Sequence, residues 1–139
     1  MIGMVIVTHG TLANALREAM EHVVGKQKDV ATVCVESDAE CESQRAEIAS
    51  RITEVDSGDG VILLTDMFGG TPSNLAMSMA SQPGIEIIGG VNLPMLVKLA
   101  KIRGTQALSE AVQCAEAAGR KYICSAHDAQ LVLPQRAAE

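Results

Sequence analysis

The chain contains no tryptophan, one phenylalanine and one tyrosine in 139 residues. Base-stacking nucleic-acid modules need aromatic platforms, so the composition argues against that class, and the core has to be built from aliphatic side chains. Basic residues are in deficit as well: 11 Lys and Arg stand against 17 Asp and Glu, a formal charge of −6. That balance disfavours phosphate-backbone binding as a bulk property but leaves a local phosphate site open. The four cysteines, Cys34, Cys41, Cys114 and Cys124, form no CxxC pair and lack zinc-ligand spacing, so they read as free thiols of a reducing compartment. No apolar run approaches the roughly 20 residues needed to span a bilayer. The first residues carry no basic stretch of the secretory type. A cytoplasmic protein without membrane insertion, metal or other cofactor is expected.

What is present is a regular alternation. Short aliphatic runs at 2–8, 30–36, 61–65 and 85–88 read as strands, and the run at 61–65 is apolar throughout, as in a strand covered on both faces. Between and after them, helical spacing is found at 11–24, 41–55, 72–81, 94–102 and 105–118. In the first helix the spacing puts Leu12, Leu16, Ala19, Met20 and Val23 on one face, with Gly25 as its stop; Gly119 reads as the stop of the last. Residues 122–124 suggest a short antiparallel fifth strand at an edge. The β-α-β-α order predicts an α/β fold, a mostly parallel, doubly wound sheet of order 2-1-3-4 with helices on both faces. Its length suits one domain, 1–125, followed by a C-terminal tail, 126–139, in which Leu131-Val132-Leu133 could dock.

In such sheets the ligand lies beyond the carboxyl ends of the strands that flank the switch point. Here those ends carry His9 and Asp66. Imidazole at that place can be a nucleophile, a base, a ligand or a satisfied structural group. An aspartate across the crevice can accept from Nδ1–H and leave the Nε2 lone pair outward, an arrangement suited to a nucleophile. Asp66 opens the segment Asp66-Met67-Phe68-Gly69-Gly70-Thr71-Pro72-Ser73-Asn74. The glycine pair permits a tight turn and close approach of a ligand. Thr71 is placed to cap the following helix, with Pro72 at its first position. A helix start of this kind can hold a transferred phosphoryl group on its N–H donors. No lysine follows the glycines, so this is not a Walker A loop. His22 falls on the flank of the first helix, and His127 lies in the tail.

Three segments, Val5-Ile6-Val7-Thr8-His9-Gly10, Leu64 to Asn74, and Gly90-Val91-Asn92-Leu93-Pro94-Met95-Leu96, together resemble the mannose-type IIA component of the bacterial phosphoenolpyruvate-dependent sugar phosphotransferase system. The resemblance spans most of residues 1–125. It implies that His9 accepts a phosphoryl group on Nε2 from the histidine-containing phosphocarrier protein and passes it to a IIB component on a separate chain, for sugar uptake or regulation. Asp66 would orient His9, Thr71 would lie beside the phosphoryl group, and backbone N–H groups near Gly70 and Ser73 would bind its oxygens. It also implies a homodimer with the last strand at or near the interface. Family members often carry Trp where Phe68 stands. A neutral or apolar docking face around His9 is expected, since the acidic chain would not attract an acidic donor. The related phosphotransfer subunit of dihydroxyacetone kinase and a non-catalytic regulatory module on the same scaffold are the alternatives. A histidine phosphatase would need Arg before the histidine, and Thr8 stands there.

Overall fold

The computed structural model describes residues 1–36 and 41–128. Four strands, β1 (Gly3–His9), β2 (Val30–Val35), β3 (Val61–Thr65) and β4 (Ile85–Ile88), form one parallel sheet in the order β2-β1-β3-β4. The helices are α1 (Leu12–Val24), α2 (Cys41–Val55), α3 (Thr71–Met77), α4 (Leu93–Ile102) and α5 (Leu108–Lys121). The expected doubly wound α/β architecture is therefore the observed one.

The strands alternate their side chains between two aliphatic layers. Met4, Ile6, Ile62, Leu64 and Ile88 pack under α1, α4 and α5; Val5, Val7, Val33, Val61 and Leu63 pack under α2 and α3. Each fully buried side chain of this size contributes about 1.5–3 kcal/mol. Because α1 and α2 leave the sheet on opposite faces, the chain reverses direction between β1 and β3. The crevice at their carboxyl ends is the switch point. Register is tight there, with Val7 opposite Thr65, so His9 and Asp66 emerge from adjacent strands at nearly the same height.

Several local expectations are corrected. Residues 122–124 form a turn and irregular chain, and no fifth strand joins the sheet among the described residues. The motif Leu131-Val132-Leu133 lies outside the described residues. In α1 the buried face is Ala13 and Met20, with Leu16 and Val24 half-buried beside them, whereas Leu12 and Val23 are exposed. Thr11, the N-cap residue of α1, makes no side-chain cap bond; the Thr8 hydroxyl instead accepts from Ala13 N–H at 2.7 Å and donates to the His9 carbonyl at 3.2 Å. Helix α3 ends at Met77, because the chain tightens there into three-residue turns (Met79 N–H to Ala76 O, Ala80 N–H to Met77 O) while Ser78 Oγ donates to Leu75 O. Gly119 does not stop α5 but lies within it. A methyl group at Gly119 would meet the terminal methyl of Met95 at 2.8 Å and Asn92 Oδ1 at 3.4 Å, and the Gly119 carbonyl accepts from Asn92 Nδ2, so this residue lies in the α4–α5 contact.

At the end of the sheet away from His9, Arg103 is buried. Its guanidinium donates to the carbonyls of Ile2, Lys28 and Asp29 and to Gln27 Oε1, tying the start of β1 to the segment before β2. Burial pushes its pKa down, opposed by the nearby Asp29 charge, but an arginine remains charged. Arg103→Met is expected to cost about 3 kcal/mol, since three carbonyls lose their charged donor. Thermal unfolding should show a midpoint lower by about 10 °C; an unchanged midpoint would refute this role.

Candidate functional site

His9 is the last residue of β1 and Asp66 the first residue after β3. One carboxylate oxygen, Asp66 Oδ2, accepts from the His9 backbone N–H at 3.0 Å and meets His9 Nδ1 at 2.7 Å. The other, Oδ1, accepts from Met67 N–H at 3.0 Å. A carboxylate only accepts, so Nδ1 carries the proton and the lone pair of the neutral ring is on Nε2. The His9 side chain is 50% exposed and that of Asp66 only 13%. Partial burial raises the Asp66 pKa, but the His9 backbone N–H, the His9 ring and Met67 N–H outweigh it, and the net shift is downward. Asp66 is therefore held as a carboxylate against the imidazole. Its bonds stabilise the fold above the ordinary carboxylate pKa, and that contribution is lost as pH falls through the lowered folded-state value.

Gly70 closes the site from the other side. A methyl group there would sit 2.7 Å from His9 Cε1 and 2.9 Å from Nε2, so only glycine lets the backbone lie against this edge of the ring. Gly69 takes a positive φ of 95° to make the turn. Gly70, not Thr71, is the N-cap residue of α3: Thr71 is the first helical residue and Pro72 the second. Ser73 is 1% exposed. Its hydroxyl accepts from Gly69 N–H at 3.1 Å and donates to the Gly70 carbonyl at 2.9 Å. The Ser73 side chain thus braces the glycine turn and spends its proton there. Reading the motif could place Ser73 near the site but not show that its hydroxyl turns inward, because that depends on the turn dihedrals.

Phe68 lies across Gly89 at the end of β4, where a methyl group would come within 2.5 Å of the ring. Met67 and Phe68, which directly follow Asp66, are each 57% exposed, and Leu12, three residues after His9, is exposed as well. His22 and His127 are exposed, and among the described residues neither meets a carboxylate as His9 does. Among the described residues, no group of three or more His, Cys, Asp and Glu is placed to hold a metal ion, and no helix is long and apolar enough to cross a membrane.

Removing the Ser73 hydroxyl takes its partner from the Gly69 N–H and one of two donors from the Gly70 carbonyl, which still accepts from Asn74 N–H. Ser73→Ala is expected to lower stability by about 1 kcal/mol, read by denaturant unfolding. If stability is unchanged, the brace is dispensable.

A parallel α/β sheet whose switch point presents an aspartate-oriented histidine against a glycine turn defines a class of proteins built around one exposed ring nitrogen. The chain belongs to the EIIA-man family, the PTS system fructose IIA components, whose model matches residues 3–116. It is 31% identical over 124 residues, 88% of its length, to the PTS system mannose-specific EIIAB component of Escherichia coli K12. It spans only 38% of that relative's length. It is 27% identical over 130 residues to the PTS system fructose-specific EIIA component of Bacillus subtilis, covering 91% of this chain and 89% of that one. The same fold occurs in the phosphotransferase system component EIIA from Streptococcus agalactiae, with a TM-score of 0.81, 22% identity, and coverage of 90% and 97% of the two chains.

Proposed function

We propose that this chain is a phosphohistidine carrier of a sugar phosphotransferase system. His9 Nε2 takes a phosphoryl group from the histidine-containing phosphocarrier protein and gives it to a IIB component. The observation that carries this reading is the bond from His9 Nδ1 to Asp66, which leaves the Nε2 lone pair at the Gly70 turn. In the forward step the Nε2–P bond forms as the donor's N–P bond breaks, through a loose transition state that needs positioning and charge stabilisation more than covalent help. The phosphorylated ring keeps its Nδ1 proton and becomes cationic, and the Asp66 carboxylate compensates that charge. The backbone at Gly70 and the Thr71 residue beside it face the transferred group, and Ser73 acts by holding the turn. In the return step the Nε2–P bond breaks toward the acceptor and the ring is again neutral.

The exposed apolar side chains of Met67, Phe68 and Leu12 serve as the docking face for both partners. The functional unit is the domain 1–125, working as a homodimer in the cytoplasm. The test is incubation with phosphoenolpyruvate and the two general phosphotransferase proteins. One acid-labile phosphate should appear, mapped by mass spectrometry to the peptide containing His9. Absence of label, or label on another residue, overturns the reading.

A further inference from the structure

A second feature lies away from His9, on the outer face of α4 and α5. These helices run antiparallel: Asn92, at the start of α4, bonds Gly119 near the end of α5. Between their solvent sides lies a groove of about 470 Å³. One wall is Pro94, Val97, Lys98 and Lys101 of α4; the other is Cys114, Ala117, Ala118 and Lys121 of α5, with Tyr122 at its end. Both walls follow the i, i+3, i+4, i+7 spacing by which a helix presents one continuous stripe. The floor is apolar and low, since Ala117 and Ala118 hold no side chain above Cβ.

The charge of the groove opposes that of the molecule. Lys98, Lys101 and Lys121 are three of only five lysines in a chain of net charge −6, and no acidic residue lines the groove. Among the described residues, none of the three is ion-paired. The Lys121 ammonium instead lies 5.5 Å from the centre of the Tyr122 ring. Lysines usually alternate with acids on exposed helices, because i, i+4 pairs add stability; here two helices face their lysines into one trough with no ion pair among the described residues.

We propose that this groove is a docking site for an acidic amphipathic helix of a protein partner. Two parallel stripes over a low apolar floor accept a third helix, whose apolar face covers Val97, Ala117 and Ala118. Asp and Glu on its two flanks meet Lys98 and Lys101 on one rim and Lys121 on the other. The chain's own 129–139 segment does not fit this description: it carries one Arg and one Glu, and its apolar residues, Leu131-Val132-Leu133, are consecutive rather than helically spaced. The inference is independent of the phosphoryl chemistry at His9.

The probe is a fluorescein-labelled helical peptide of about four turns, with Leu and Ala on one face and Glu on both flanks. Its partner control has Lys in place of every Glu. Fluorescence anisotropy should show the acidic peptide binding the full chain and the basic one not. Lys98→Glu/Lys101→Glu/Lys121→Glu should weaken binding by about tenfold or more, and raising ionic strength should weaken it too. Lys26→Glu/Lys28→Glu, equal in sign but outside the groove, should leave affinity unchanged. Ala117→Gln, neutral and exposed, should weaken binding by filling the floor, which a purely ionic attraction would not show. Equal binding of both peptides, or indifference to the groove variants, overturns the proposal. So does light scattering that shows self-association abolished by the triple variant, since the occupant is then a second copy.

Discussion

His9→Ala is expected to remove phosphoryl acceptance altogether while leaving a folded protein. His9 is half-exposed at the end of its strand, and its ring is bonded only to Asp66 among the described contacts. The backbone N–H that it gives to the same carboxylate survives the substitution. The fold should therefore lose about 1 kcal/mol, visible as a small shift in thermal unfolding. The chemical loss has no such partial form, because among the described residues no other imidazole stands at the switch point. Labelling with phosphoenolpyruvate and the two general proteins should fall to background. Residual acid-labile label on the variant at the wild-type level would end the assignment of His9.

Asp66→Asn should retain some transfer but slow it by about a hundredfold or more, the scale seen when a base is held in the wrong tautomer. The reason lies in three donors that converge on one carboxylate: His9 N–H, His9 Nδ1–H and Met67 N–H. An amide has one acceptor oxygen and one NH₂ group. If its oxygen faces His9, the NH₂ opposes Met67 N–H. If the NH₂ faces His9, it opposes the His9 N–H and selects the tautomer with the proton on Nε2, where no lone pair remains to attack phosphorus. Either orientation leaves the cationic phosphorylated ring without a counter-charge. The initial rate of labelling and the lifetime of the phosphorylated form both report this. A variant that is labelled at the wild-type rate would refute the orienting role. The pH dependence of stability has a definite sign. The lowered Asp66 pKa means the wild type loses stability relative to Asp66→Asn as pH falls through the folded-state value, so the two unfolding curves should converge in acid.

Much of this site was legible from residue order alone. Aliphatic runs of four to seven residues, separated by helical spacing, leave few topologies open, and the right-handed crossover rule reduces them to a sheet with β1 and β3 adjacent. His9 and Asp66 end those two strands, so their meeting follows from parallel pairing without any detail of side-chain packing. The glycine pair announces a turn that comes close to something. Its neighbour was not nameable beforehand, because the gap between Gly70 and the His9 ring is set by the register Val7 to Thr65 and by the turn at Gly69.

Other features belong to the tertiary structure. Arg103 carries no motif in the sequence and becomes a buried tie only because the segment before β2 folds over it. Gly119 reads as a stop by local rules, yet lies inside α5 against Met95 and Asn92 at the α4–α5 contact. Thr8 reads only as a strand residue, and the end of β1 places its hydroxyl where it accepts from Ala13 N–H in the first turn of α1. The three lysines of the α4–α5 groove lie up to 23 positions apart and share a face only once the two helices pair antiparallel. Sequence by itself determined the element order, the parallel sheet and the identity of the His9–Asp66 pair, because periodicity and topology rules act on chain order. The ring edge that faces Gly70, the inward turn of the Ser73 hydroxyl and the burial of Arg103 were decided only by the fold, because each depends on distances between segments that no local pattern encodes.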